Sequence, residues 1–152
     1  MAVNDQCINF LLTTAQHSVF QYFSGCLEKY DITPAQYGVL SCLWDIEYST
    51  PKQIAEELCL EMSTISGVLD RMQKKGLIER AANEKDRRGI RVIVTEKGKE
   101  LAEHIASAAL KIQNAVSHNV DKDELSVFYS VLERIYNNID DISNKKMSDK
   151  TN

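Results

Sequence analysis

The 152-residue sequence predicts a mainly α-helical fold carrying one short β-hairpin. Three observations predict it. Apolar residues recur at spacings of three and four along most of the chain, the period that gives a helix one buried stripe. Thr33-Pro34-Ala35-Gln36 and Thr50-Pro51-Lys52-Gln53 carry the same helix-start signal. Each has Thr at the N-cap, Pro at the first helical position and Gln two residues later, where both side chains satisfy orphan amides. The helical period fails at Leu77–Arg80 and Ile90–Val94, two short strand-like runs flanking a polar, turn-rich stretch, Asn83–Gly89.

The elements follow in order. Residues 5–30 place Ile8, Leu11, Leu12, Ala15, Val19, Phe23 and Leu27 on one stripe and form a long amphipathic helix, broken at Asp31-Ile32. The second helix runs from the Thr33 cap to about Asp45, with Tyr37, Leu40, Leu43 and Trp44 inward. The third is short, with Ile54, Ala55 and Leu58 inward. The fourth spans 62–75 and buries Ile65, Val68, Leu69 and Met72, before Gly76, a residue suited to the left-handed stop after a helix. After the hairpin, Thr95 caps a fifth helix to about His118. Asp121 and Glu124 form a capping pair for the last helix, whose Leu125, Phe128, Leu132, Ile135, Ile139 and Ile142 make a seam for a partner helix. Residues 144–152 are polar and expected to be disordered. Two short helices with a tight link and a following hairpin make a winged helix-turn-helix, here residues 33–95 of a single domain.

Bulk properties narrow the functional classes. The chain is 43% hydrophobic and 26% charged, ordinary for a soluble globular protein. No apolar run approaches the ~20 residues of a membrane helix, and no basic segment followed by an apolar one opens the chain, so a cytoplasmic location is the default. Cys7, Cys26, Cys42 and Cys59 are widely spaced, which argues against a disulfide framework or a zinc site. His17, His104 and His118 offer no metal-ligand spacing, and no cofactor motif is present. The absence of a glycine-rich phosphate loop, paired catalytic carboxylates or a nucleophile–base set argues against an enzyme.

Charge is unevenly distributed. The net charge is −4, yet residues 71–99 hold ten Lys or Arg against four Asp or Glu, leaving eight against eighteen elsewhere. A cationic patch on an acidic body suits a protein that meets phosphates with one face. With residues 65, 68, 69 and 72 inward, Ser63, Thr64, Ser66, Gly67, Asp70 and Arg71 face outward. Small hydroxylated residues let a helix approach a groove floor and exchange hydrogen bonds with bases or phosphates. Arg71 and Lys74 suit a phosphate or a structural ion pair. Arg87 and Arg88 are placed at the hairpin tip beside Gly89, suited to the minor groove. Asp86 would repel phosphates and is read as an internal brace, paired with Arg71 or a neighbouring Arg. The bland alternative for each of these faces is a solvated surface.

Asp86-Arg87-Arg88-Gly89-Ile90-Arg91-Val92-Ile93-Val94-Thr95-Glu96-Lys97-Gly98 resembles the D-R-R-x-x-x-V-x-L-T-x-x-G wing signature of MarR-type transcriptional regulators, with Val94 where Leu is usual. Ser63-Thr64-Ile65-Ser66 and Leu69-Asp70-Arg71-Met72-Gln73-Lys74-Lys75-Gly76-Leu77-Ile78 resemble the same family's recognition helix, with Gly67 where many members carry a longer residue. The resemblance extends over nearly the whole chain. It implies a homodimer interlocked through residues 5–30 and 96–143, a repressor acting on double-stranded DNA, and two recognition helices reading a palindrome with half-sites about one turn (~34 Å) apart. It also implies release by a small aromatic or lipophilic effector bound between the dimerisation helices and the DNA-binding lobe. His17, Tyr22, Tyr37, Cys42 and Trp44 are the candidates to line that pocket, although aromatic residues at helical spacing are more often plain core. In the family's hydroperoxide sensors a reactive cysteine lies early in the first helix. Asn9 matches that position here, Thr13 and Phe23 match the supporting tyrosines, and Cys7 is offset by two residues toward nearly the opposite face. A thiol-switched regulator acting through Cys7 is therefore one alternative. A winged-helix protein-interaction module without DNA binding is another.

Overall fold

Side chains at the starts of α2, α3 and α6 explain where these helices begin. The computed structural model describes residues 7–83 and 86–148, with 83, 86–88 and 140–148 described by their backbone course alone. The chain forms two units, Met1–Ile112 and Gln113–Asn152. The order is α1 (Ile8–Leu27), a 3₁₀ turn (Glu28–Tyr30), α2 (Pro34–Cys42), α3 (Pro51–Glu57), α4 (Met62–Lys74), β1 (Ile78–Asn83), β2 (Asp86–Val94), α5 (Glu96–Val116) and α6 (Lys122–Ser148). Both expected capping boxes form: the Gln36 amide donates to Thr33 Oγ1 and the Gln53 amide to Thr50 Oγ1, while the two Gln side chains accept from the cap amides.

The turn between α3 and α4 and the stop after α4 use one motif. The Leu60 amide reaches back to the Ala55 carbonyl and the Cys59 amide to Glu56; likewise the Leu77 amide reaches Met72 and the Gly76 amide Gln73. These paired bonds satisfy the last helical carbonyls when the residue past the cap is left-handed. Gly76 takes φ +70 at no steric cost, whereas Cys59 takes φ +51 with a side chain. Thr95 then ties the next helix down: its hydroxyl donates to the Gly76 carbonyl at 2.7 Å and accepts from the Gly98 amide at 3.1 Å. A Cβ on Gly98 would lie 2.2 Å from the Leu77 carbonyl oxygen, so the Thr-x-x-Gly sequence permits a backbone approach that no other residue allows.

The core of the first unit gathers the end of α1, helices α2 to α4, the hairpin base and α5. Leu27, Leu43, Ile54, Ile65, Leu69, Met72, Ile78 and Ile105 are almost fully buried within it. The expected stripe of α4 is therefore an internal surface. Ser49 extends the hairpin by one residue, exchanging backbone bonds of 3.1 and 2.7 Å with Val92. In the second unit, Asp121 Oδ1 accepts from the amides of Asp123 and Glu124, while Glu124 Oε2 accepts from the Asp121 amide, the expected capping pair.

Three expectations are corrected. β2 begins at Asp86, so Arg87, Arg88 and Gly89 belong to a strand and not to the turn. They lie at a register shift: Ala82 pairs with Ile90, and the next β1 residue, Asn83, pairs with Asp86. A polar strand segment shows no apolar alternation, so its sequence looks like a turn while its backbone still pairs. α2 stops at Cys42, short of Asp45, and Trp44, expected inward, is half-exposed because the helical period no longer directs it. α6 continues to Ser148, through part of the stretch expected to be disordered, since no Gly or Pro interrupts it. Residues 149–152 lie outside the described residues.

Candidate nucleic-acid interface

α4 presents two opposite surfaces. Ile65, Val68, Leu69 and Met72 are at most 2% exposed. Ser63, Thr64, Ser66, Asp70, Arg71 and Lys74 are exposed and Gly67 is half-buried, so the candidate reading residues share one side of one helix. No side chain caps the first turn of α4, whose N-cap is Glu61. Its leading amides, orphaned by geometry, carry the positive end of the helix dipole.

An ion pair holds this helix to the hairpin, through residues that the sequence does not single out for the role. Arg80 on β1 places Nη1 2.6 Å from Asp70 Oδ1 and Nη2 3.4 Å from the Ser66 carbonyl oxygen. The brace expected from sequence is Asp86, whose side chain lies outside the described residues, as do those of Arg87 and Arg88. Opposite charges ten residues apart on a helix and a strand become visible as a pair only when packing brings the elements together. Arg71 and Lys74 have no hydrogen-bond or ion-pair partner among the described residues, which leaves two cations on the exposed face.

A second polar network lies at the far end of α4. Lys75 Nζ is 2.9 Å from Asp31 Oδ2 and also donates to the Asp31 carbonyl, which holds Asp31 in its left-handed conformation. Lys97 Nζ donates to the Lys75 carbonyl at 2.8 Å. These residues, with Tyr30, Leu77, Leu101 and His104, line a cleft of about 360 Å³. Sequence alone does not reveal this cleft, because its walls come from three separate segments.

The candidate pocket residues are dispersed. Tyr37 and Trp44 share a cleft of about 260 Å³ with Leu40, Ser41, Asp45, Ala102 and Ala106. Tyr37 also meets Phe23 edge to face at 5.1 Å. Cys42 lines a different cleft beside Ile54 and Glu57, where burial, then the Glu57 charge, pushes its thiol pKa up. His17 and Tyr22 are exposed on α1 and line neither cleft. Cys7 is exposed at the N-cap of α1. Among the described residues no three His, Cys, Asp or Glu side chains gather for a metal, and no helix is long and apolar enough to cross a membrane.

Comparison with known proteins agrees with this architecture. A sequence profile of the MarR family matches residues 32–90. The HTH-type transcriptional regulator MgrA of Staphylococcus aureus is 31% identical over 137 residues, which span 90% of this chain and 92% of that protein. The organic hydroperoxide resistance transcriptional regulator of Bacillus subtilis is 32% identical over 130 residues, spanning 84% and 88%. Reduced MarR from E. coli has the same fold, with a TM-score of 0.71 at 25% identity over 85% of this chain and 96% of that one. The S. aureus MepR–DNA complex matches in fold with a TM-score of 0.80 at 23% identity over 87% and 98%. Members of this family are transcriptional regulators rather than enzymes, and the chain belongs to the MarR family.

Proposed function

We propose that this chain is a cytoplasmic, homodimeric repressor that reads a palindromic operator with α4 and its wing, and releases it on binding a small effector. The observation that carries the DNA reading is the two-sidedness of α4. Its Ile65, Val68, Leu69 and Met72 are consumed by the core, and the opposite face offers Ser63, Thr64, Ser66 and Gly67, with Arg71 and Lys74 beside them. That surface suits hydrogen bonding at groove distance and not burial against protein. Arg87 and Arg88 fit the wing's share of the contact, with Asp86 kept away from phosphate as a brace. The fold likeness to MepR in its complex with DNA supports the reading.

Dimerisation is supported by apolar side chains left uncovered on α1 and α6. On α1, Ile8 is 58%, Leu11 51% and Val19 41% exposed. On α6, Val127, Phe128, Tyr136 and Ile139 are exposed by half or more. Exposed apolar side chains clustered on a helix suit an interface. The effector reading favours a small aromatic or lipophilic compound, with Tyr37 and Trp44 on one shared cleft as the residues it would meet.

The test is fluorescence anisotropy of the full chain on the duplex upstream of its own coding sequence, against a scrambled duplex, at rising salt. Preferential binding that weakens steeply with salt is expected. Equal, salt-insensitive binding to both duplexes, or none to either, would leave the protein-interaction reading. A thiol-switched variant is the second reading, favoured by the exposure of Cys7 at the start of α1. Loss of operator binding on peroxide treatment, abolished by Cys7→Ser, would establish it.

A further inference from the structure

Resting on the proposal that α4 faces DNA, the geometry around Gly67 identifies the residue that selects a base. Glycine is the poorest helix former after proline, yet Gly67 stands well inside α4. Neither backbone nor packing requires it. Gly67 has helical backbone, in contrast to Gly76 with its φ of +70. Among the described residues, a Cβ built on Gly67 would meet one neighbour, Arg71 Nη1 at 3.6 Å, an ordinary contact distance. Within the protomer the glycine therefore only leaves room, and the group using that room is the Arg71 guanidinium.

Arg71 is one turn beyond Gly67, and side chains four apart on a helix share a face and lean toward its N-terminus. With no side chain at 67, the guanidinium rests over the middle of α4, one nitrogen 3.6 Å from where a Cβ at 67 would sit. Of the carboxylates near it, Asp70 is committed to Arg80 at 2.6 Å and Asp31 to Lys75 at 2.9 Å, while Glu28, which shares a cleft with Arg71, makes no ion pair with it. Arg71 itself keeps all its donors free among the described residues. A free, planar fork over the centre of a recognition face matches the O6 and N7 acceptors of a guanine in the major groove. Lys74, a point charge further along the helix, fits a phosphate. We infer that Arg71, laid across the gap at Gly67, is the guanine-reading residue of α4 and not a phosphate clamp.

The test selects binding sites from a duplex library with a randomised core, using the full-length wild-type chain, Arg71→Lys, Arg71→Ala and Gly67→Leu. Wild type is expected to prefer guanine at one position of each half-site by about 10- to 100-fold. Arg71→Lys keeps the charge but not the fork, so it should keep the salt slope and lose that preference. Gly67→Leu fills the guanidinium's resting place with a good helix former; it should lose the same preference with an undiminished melting temperature. If Arg71→Lys selects the same guanine as strongly as wild type, the inference is overturned. It is equally overturned if Arg71→Ala weakens all sequences alike while lowering the salt slope by about one. A wild-type chain that enriches no sequence would instead overturn the DNA-reading proposal itself.

Discussion

α1 and α4 carry the same kind of sequence pattern and meet opposite fates. Both place apolar residues at spacings of three and four. On α4 that stripe is sealed, with Ile65 and Met72 at 0% exposure. On α1 it stays open, with Ile8 at 58% and Leu11 at 51%, and only toward the helix end do Phe23 and Leu27 meet the core. Periodicity says that a face must be covered, and nothing about which chain covers it. The difference separates two functions. α4 commits its apolar face to the protomer's own stability and is left with a polar surface to offer. α1 leaves its apolar face exposed, the face that the proposed dimer would cover.

The largest effects test that separation directly. Ile65→Ala should cost about 2–5 kcal/mol of unfolding free energy, the range for a buried aliphatic truncated in a close-packed core. Leu11→Ala should cost the isolated protomer almost nothing and instead weaken self-association. Urea unfolding at two protein concentrations, with sedimentation equilibrium alongside, distinguishes the two. Equal losses for both variants at a concentration where the chain is monomeric would break the comparison, because α1 would then belong to the protomer core.

Gly98→Ala comes next and asks how firmly the end of α4 is tied to the start of α5. The added methyl would sit 2.2 Å from the Leu77 carbonyl oxygen and 2.7 Å from Val94 Cγ2, so backbone at the α4–β1 and β2–α5 junctions must shift. Overpacking of this kind costs about 1–3 kcal/mol or more. A melting temperature unchanged from wild type would show that the junction yields, and that Thr95 alone carries the link.

Much of this was legible in the sequence, and the illegible parts share a cause. Thr33, Thr50 and Asp121 mark their helix starts through bonds made within three residues, so local spacing suffices to find them. The stripe of α4 and the stop at Gly76 are equally local. The strand course of Asp86–Gly89 was hidden because backbone pairing needs a partner strand and leaves no mark on polar side chains. The Asp70–Arg80 brace and the cleft joining Asp31, Lys75, Lys97 and His104 depend on elements far apart in sequence. Within the candidate site, the outward face of α4 followed from its periodicity, but the resting place of Arg71 did not. It depends on a missing side chain at 67, whose consequence appears only when the helix is built.

A smaller effect compares the two ends of the helix-turn-helix. α3 and α4 both close on a left-handed residue, Cys59 at φ +51 and Gly76 at φ +70. Left-handed backbone costs an L-residue about 1–2 kcal/mol, offset in part by the extra freedom glycine loses on folding. Cys59→Gly should therefore raise stability by roughly 0.5–1 kcal/mol, and Gly76→Ala should lower it. Thermal denaturation of both variants checks the sign; a loss on Cys59→Gly would mean that the exposed thiol makes a contact worth more than the strain.

The smallest expected effect concerns what the brace is for. Asp70 is 53% and Arg80 24% exposed at the side chain, so their pairing is screened by water and should contribute about 0.2–1 kcal/mol in a double-mutant cycle of Asp70→Ala and Arg80→Ala. Its larger consequence should be geometric. Without the pair, Asp70 regains access to Arg71 from the adjoining position, and the hairpin loses its hold on the Ser66 carbonyl. Arg80→Ala should then weaken operator binding by more than its stability loss accounts for, while Asp70→Ala, which frees Arg80 but removes a negative charge from the face, should weaken it less. Equal binding losses for the two would reduce the brace to a stability contact, and α4 would owe its placement to its buried stripe alone.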